Sequence, residues 1–307
     1  MSEFIKKITE IIPCDLRLDR YAAEILCILS RSQIKARNLK AKINGKEVKI
    51  SHIVRNGDLI ELAWDEPEPE NIIPEDIPLN IIYEDDRCIV VNKEQGMVVH
   101  PGAGNRKGTL VNALYFRSME RKGGLGCNGI RPGIIHRLDK DTSGTMIAAH
   151  DDEALAFLSQ QFESRKVKKE YIAIIKGIPK EKKIKIETFI ARNPANRKRF
   201  SVAENGKQAV TFLTVLKTWE SHSLVLLRPK TGRTHQLRVH MQFLGHPITG
   251  DPLYSGFDAL FPNATLMLHS RRLAITLPGD EKERVFTSPL PQRFKEMIKF
   301  LSTNLVS

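Results

Sequence analysis

Apolar residues recur along this chain with two different spacings. Leu16, Leu18, Tyr21, Ile25 and Leu29 return at helical intervals, so a helix is expected there, and a second one is expected to open near Ser30. The stretch that follows, AKINGKEVKISHIVRNGDLIELAW, reads as strands with turns at Asn44-Gly45 and Asn56-Gly57. From Leu79 onward NIIYED, CIVVNK, TMIAAH, EYIAIIKG, AVTFLTVLK and SLVLLRP alternate or form short apolar runs, and all read as strands. Helices are expected at 109–119, 151–163, 234–244 and 291–301, with Asp151 as an N-cap. Strands that follow one another with few helical crossovers predict an α+β fold with a largely antiparallel sheet. A doubly wound fold is disfavoured, and neither GxGxxG nor GxxxxGK[ST] occurs.

The pattern breaks once, at DEPEPENIIPEDIP, residues 65–78. Six acidic residues and four prolines make this an extended tether. It divides a small module, 1–64, from a larger domain, 79–307, as a length of 307 residues leads one to expect. The chain is otherwise basic, with 48 Lys and Arg against 36 Asp and Glu, a net charge of +12 that favours a polyanionic partner. No run is long enough to span a membrane, and the start MSEFIKKITEIIPC is not expected to act as a secretory signal. Cys14, Cys27, Cys88 and Cys127 lie far apart without a CxxC, so a reduced, cytoplasmic chain without structural zinc is expected, acting as a monomer.

Residues 31–49 hold seven basic residues and one acidic. A charge run is ordinarily a solvated face, but this module is too small to do much besides bind, which favours RNA contact. RLDRYAAEIL, SRSQIK, KINGKEV and NGDLIEL resemble the S4 RNA-binding domain over about Leu16 to Trp64. The resemblance implies RNA contact by Arg31, Ser32, Lys35, Arg37 and Lys40. One departure is the missing glycine before the first strand, where Arg37-Asn38-Leu39-Lys40 stands, and Asn38 is the nearest residue that tolerates a left-handed turn.

The segment that carries chemistry is GIIHRLDKDTSG, residues 133–144. His136, Arg137, Asp139, Lys140 and Asp141 crowd into one loop after a strand, and such a cluster is costly to bury, so a binding site is the better reading. Asp141 is expected to close the turn by accepting from the amides of Ser143 or Gly144. Asp139, flanked by cations, is a candidate nucleophile or electrostatic stabiliser. The loop is very similar to the signature of the RluA family of pseudouridine synthases. The resemblance runs from about Ile81 to Leu277 and is supported by VVHPGAGNRKGTLVNAL, KEY at Lys169 to Tyr171, TGRTHQLRVHM and LMLHSRRL. VVHPGAGN looks most like the subgroup that modifies large-subunit ribosomal RNA, in which an S4 domain ahead of the catalytic domain is common. GLGCNG, residues 124–129, has no assigned role.

The resemblance implies the pseudouridine synthase fold, 23S ribosomal RNA or the large-subunit precursor as partner, and conversion of a uridine to its C5-linked isomer. Nothing is oxidised and no group enters, so no cofactor is required. His235 and His240 lack metal-ligand spacing. The base must leave the stack to react. By resemblance Asp139 is the carboxylate near C1′, Tyr171 lies against the flipped base, Arg238 pairs with Asp139, and Leu268 walls the base pocket. Arg137 is a candidate to contact phosphate or to fill the space the base vacates. The run Arg192, Arg197, Lys198 and Arg199 with Phe200 could grip a backbone or stack on a base. The competing readings are a catalytically silent RNA-binding assembly factor, a tRNA-directed synthase of the same family, and a glycoside hydrolase using Asp139 and Asp141.

Overall fold

The computed structural model describes residues 2–26, 28–29, 33–34, 37–65, 72–102, 105–120 and 133–303. The chain forms two compact units, Met1–Asn71 and Ile72–Ser307. Arg31, Ser32, Lys35, Cys27, Cys127 and the 124–129 stretch lie outside the described residues, as does most of the second expected helix.

The first unit contains β1 (Ser2–Lys7), α1 (Leu18–Arg20) running into a wider π turn at Tyr21–Ile25, β2 (Lys40–Ile43), β3 (Lys46–Val48) and β4 (Leu59–Trp64). The strands form one antiparallel sheet in the order β1-β4-β2-β3. Leu16, Leu18, Tyr21, Ile34, Ile60 and Leu62 close its core. Ile25, expected on the buried helix face, is instead 42% exposed. Leu26 N–H donates to the Tyr21 carbonyl, five residues back (3.0 Å), and this added residue turns Ile25 outward. Asn38 takes a left-handed φ of 48° just before β2. β1 escaped the sequence reading because SEFIKK is a short alternation of only moderately apolar residues.

The second unit runs β5 (Ile81–Glu84), β6 (Cys88–Lys93), α2 (Leu110–Glu120), β7 (Ser143–Ala149), α3 (Asp152–Glu163), β8 (Lys168–Lys176), β9 (Lys183–Arg192), β10 (Phe200–Val202), β11 (Lys207–Thr218), β12 (His222–Pro229), α4 (Gln236–Phe243), β13 (Leu268–Thr276), β14 (Glu283–Thr287) and α5 (Gln292–Thr303). Its sheet order is β10-β9-β11-β12-β8-β13-β7-β6-β5, with β14 beside β13. Among the described strand ladders only β13 and β7 pair in parallel. The fold is thus α+β with a predominantly antiparallel sheet. β9, KIKIETFIAR, is a clean alternation whose inward residues Ile186 and Ile190 are buried.

The unit takes up the chain at Ile72, within the segment expected as a tether. Asn112 Nδ2 donates to the Ile73 carbonyl (2.7 Å), and Gly108 N–H donates to the Glu75 carboxylate (3.1 Å). An acid just ahead of α2 suits the positive end of that helix.

The central strands feed two cores at once. Ile89, Val91, Met146 and Ala148 join one cluster, while Cys88, Val90, Ile147 and Ala149 join the other. Successive side chains of a strand point to opposite faces, so a strand covered on both sides reads as a continuous apolar run. Asp151 caps α3 by accepting from Ala154 N–H (2.7 Å).

β7 starts against β13, and Gly144 makes that approach possible. Its φ is +119°, and a Cβ there would lie 2.2 Å from the Ser270 carbonyl oxygen. Gly144→Ala is therefore expected to destabilise the protein by about 3 kcal/mol or more in urea unfolding. Gly45→Ala, at φ +79° with open space around it, should cost about 1 kcal/mol, the backbone penalty alone. Equal losses would show that the close approach does not constrain the sheet.

Candidate active site

The 133–142 loop, β8, the start of α4 and β13 enclose a cavity of about 500 Å³. Arg137, Asp139, Tyr171, Arg238 and Leu268, singled out from four separate stretches of sequence, all line it. Arg37 and Lys40 belong to the first unit, Arg37 half-buried and Lys40 exposed on β2.

The loop is pinned from beneath by Lys93, only 2% exposed. Its ammonium donates to the carbonyls of Glu94 (2.8 Å), Met97 (2.8 Å) and Lys140 (3.0 Å). Burial pulls this lysine down to about 8, opposed by Asp141 and Asp139. Gln95 Nε2 adds a bond to the Asp141 carbonyl (2.9 Å). The turn itself is closed by Thr142 N–H donating to the Asp139 carbonyl (3.0 Å). This corrects the expectation for Asp141: the amides of Ser143 and Gly144 do not donate to its side chain, because the main chain makes the turn without it. His136 also turns inward: its Nε2 accepts from Ile147 N–H (3.1 Å) and its ring stacks on Phe162. Burial, then the nearby Lys169, push it down to about 3, so it is a neutral structural acceptor.

Arg238 organises the centre. Its Nε and Nη2 donate to the two oxygens of Asp251 at 2.7 and 2.8 Å, and its Nη1 reaches Asp139 Oδ2 at 3.3 Å. The Asp251 side chain is fully buried and that of Asp139 is 21% exposed. Burial disfavours the guanidinium charge, yet its bonds to Asp251, and then Asp139, raise the arginine above its ordinary value. Asp251 also accepts from the amides of Leu253 (2.9 Å) and Tyr254 (3.1 Å). A bidentate, desolvated pair of this kind fixes the plane of the guanidinium. The third guanidinium nitrogen, Nη1, is left to aim at the less buried carboxylate of Asp139.

Tyr254 and His235 complete this wall. Arg238 lies over the Tyr254 ring (5.1 Å), and the Tyr254 hydroxyl meets His235 Nδ1 (2.9 Å) and accepts from Phe200 N–H (2.8 Å). His235 opens α4 in a left-handed conformation, φ 56°, with Nε2 3.9 Å from Asp139. Burial lowers this imidazole, opposed by Asp139. Arg199 lies over the same Tyr254 ring (5.2 Å), and Arg192 lies over Phe200 (5.4 Å), so part of the 192–200 basic run packs beside this wall. Across from it Tyr171 is buried, and burial pushes its phenol up to about 12, a trend that a bond to Ser270 opposes and Asp139 reinforces. Leu268 is 3% exposed on β13.

Sequence reasoning missed Asp251, Tyr254 and Lys93. Each had only a faint signal: an acid in the Gly250-Asp251-Pro252 turn, and a lysine ending an otherwise apolar strand. A buried charge needs a partner, but one sequence does not say which charges are buried.

The arrangement places a carboxylate with an oriented cation beside a buried phenol and an apolar wall, in a cavity large enough for a nucleotide-sized group. The profile of the RNA pseudouridylate synthase family matches residues 87–243. A protein of Borreliella burgdorferi named Ribosomal large subunit pseudouridine synthase D is 45% identical over 286 residues, covering 91% of this chain and 87% of that one. A protein of the same name from Zymomonas mobilis is 36% identical over 299 residues, covering 93% of each. Among solved structures, Human RNA Pseudouridylate Synthase Domain Containing 4 aligns with a TM-score of 0.59 at 28% identity, covering 73% of this chain and 93% of that one. A match across nearly the whole chain at these identities means that the chain belongs to the RNA pseudouridylate synthase family, isomerases that act on RNA.

Proposed function

We propose that the protein isomerises uridines of large-subunit ribosomal RNA, with Asp139 as the catalytic carboxylate. The observation that carries the assignment is the shared guanidinium: Arg238, locked by Asp251 through Nε and Nη2, presents Nη1 to Asp139 at 3.3 Å. Cleaving the base from C1′ builds positive character on the sugar, and an oriented carboxylate stabilises it. The base then turns and rejoins through C5, and the C5 proton leaves as the product regains its aromatic ring. Tyr171, held as a phenol, supports the flipped base and can donate or relay a proton. Leu268 forms the apolar wall, and Arg137, exposed at the rim, reaches the phosphate or the space the base leaves. The ribosomal target rests on the names carried by the similar proteins of Borreliella burgdorferi and Zymomonas mobilis.

We read the first unit as an S4-like RNA-binding module. A helix joined to a small antiparallel sheet, with twelve Lys and Arg against eight Asp and Glu in residues 1–64, supports this reading.

Mapping pseudouridine in ribosomal RNA from a deletion strain tests the target: sites should disappear from the large-subunit RNA and return on complementation. Unchanged maps would sink the ribosomal assignment. Asp139→Asn keeps the shape and should lower single-turnover rate by roughly 10³-fold or more with RNA affinity held within a few-fold. Asp251→Asn leaves Asp139 and Arg238 in place but loosens the guanidinium, and should lower the rate by roughly tenfold to a hundredfold without a matching change in affinity. A loss of affinity alone would show that Asp251 does not orient the site. Deleting residues 1–71 should weaken RNA binding and flatten its salt dependence, each lost phosphate contact removing about 0.7 to 0.9 from the log–log slope. The rate at saturating RNA should stay near wild type in a core that keeps its circular dichroism, since uniform binding energy does not lower the chemical barrier. A lost saturating rate would make the module part of the site.

A further inference from the structure

The cavity carries more positive charge than the shared guanidinium explains. Arg137, Arg165, Lys169, Lys230 and Arg233 line it, against two acids, Asp139 and Glu163. Lys169 is the central member. It precedes Tyr171 by two residues on β8, and residues at that spacing point to the same face, about 7 Å apart. Its ammonium lies over the Phe162 ring at 5.8 Å and beside Gly232, whose added Cβ would sit 3.9 Å from it. Phe162 is itself held by stacking on His136 at 4.6 Å. Among the described residues no carboxylate lies within ion-pair distance of Lys169, although other half-buried cations of this unit have one.

A cation drawn partly out of water loses hydration. A ring face at 5.8 Å returns only part of that loss. Arg165 stands on the same wall, just past the end of α3, in a left-handed conformation at φ 57°. That conformation closes the helix: Arg165 N–H donates to the Phe162 carbonyl (3.2 Å) and Lys166 N–H to the Gln161 carbonyl (3.0 Å), which leaves the arginine side chain at the cavity wall.

We propose that Lys169, flanked by Arg165, is the subsite for a backbone phosphate of the flipped nucleotide itself. The inference rests on the RNA-isomerase reading above, and it names what Lys169 binds. If the base lies against Tyr171 and Leu268 and the sugar reaches Asp139, the phosphate attached to that sugar is the anion closest to Lys169. The ammonium would then meet its counter-ion only when the nucleotide has left the stack. The contact would thereby favour the extruded state over the stacked one, not RNA binding in general.

The test is a binding scan with neutral linkages. A stem-loop RNA with a single loop uridine is prepared unmodified, and with one methylphosphonate at each loop phosphate in turn. Affinity is measured in the Asp139→Asn background, so that nothing turns over. One linkage flanking the uridine should weaken binding by about tenfold when neutralised. Lys169→Met should weaken binding of the unmodified RNA by a similar factor and lose less than about twofold more at that same linkage. Arg165→Ala should couple to the same linkage or its neighbour. Lys169→Arg should restore most of the affinity, which separates charge from packing. Losses that multiply at every linkage, or Lys169→Met binding within about twofold of the parent, would overturn the subsite. The scan needs no turnover, so a protein that binds but does not isomerise would fail the functional reading and still decide this one.

Discussion

Arg238 is shared between two carboxylates of unequal burial, and the geometry of the cavity depends on that inequality. Asp251 has no exposure and takes two of the guanidinium's donors, which leaves neither group free to rotate. Breaking a buried pair of this kind by removing one partner costs about 3–5 kcal/mol. The third nitrogen, Nη1, is directed to Asp139, the more exposed of the two. Everything around it serves this alignment. Thr249 and Met267 tie the Asp251 turn to the sheet through main-chain bonds, and Tyr254 lies beneath the guanidinium. Lys93 fixes the loop that carries Asp139 from the opposite side.

Buried and half-buried cations do three separate jobs in this unit. Lys93 holds backbone carbonyls, Arg238 holds carboxylates, and Arg293 donates to Ser143 at the start of β7 (2.6 Å), with His269 on the far side of the same hydroxyl (2.9 Å). Burial pulls Arg293 down to about 10 and, with Arg293 beside it, His269 to about 4. The loop bearing Asp139 is therefore held by polar contacts at Lys140 and Ser143, on its carboxy-terminal side, while the flanking strands are held by apolar packing. Polar contacts specify position tightly because they have direction, whereas apolar packing fixes volume.

The sequence made some of this legible and hid the rest for physical reasons. The 133–144 loop stood out because five charged or titratable residues rarely gather there without a ligand. The strands of the second unit were readable because burial on one or both faces imposes alternation or a continuous run. Phase was harder to read: Ile25 has helical spacing from Tyr21, but a single wider turn rotates it into solvent. Asp251 was invisible because its importance lies in burial and in a partner thirteen residues away in the chain. Asp141 shows the converse, a plausible side-chain turn that the backbone closes unaided.

The cavity is assembled from chain positions between 135 and 268, and β7 meets β13 only after more than a hundred intervening residues. Contacts so far apart in sequence form late, because the loop between them must first be closed. The first unit closes over much shorter distances, its strands all lying before residue 65. Synthesis proceeds at roughly 5–20 residues per second. The first unit is thus complete on the ribosome for a time of order ten seconds or more before Asp251 and β13 emerge. During that interval the nascent chain holds a finished first unit while Asp251 and β13, on which the cavity depends, are still missing.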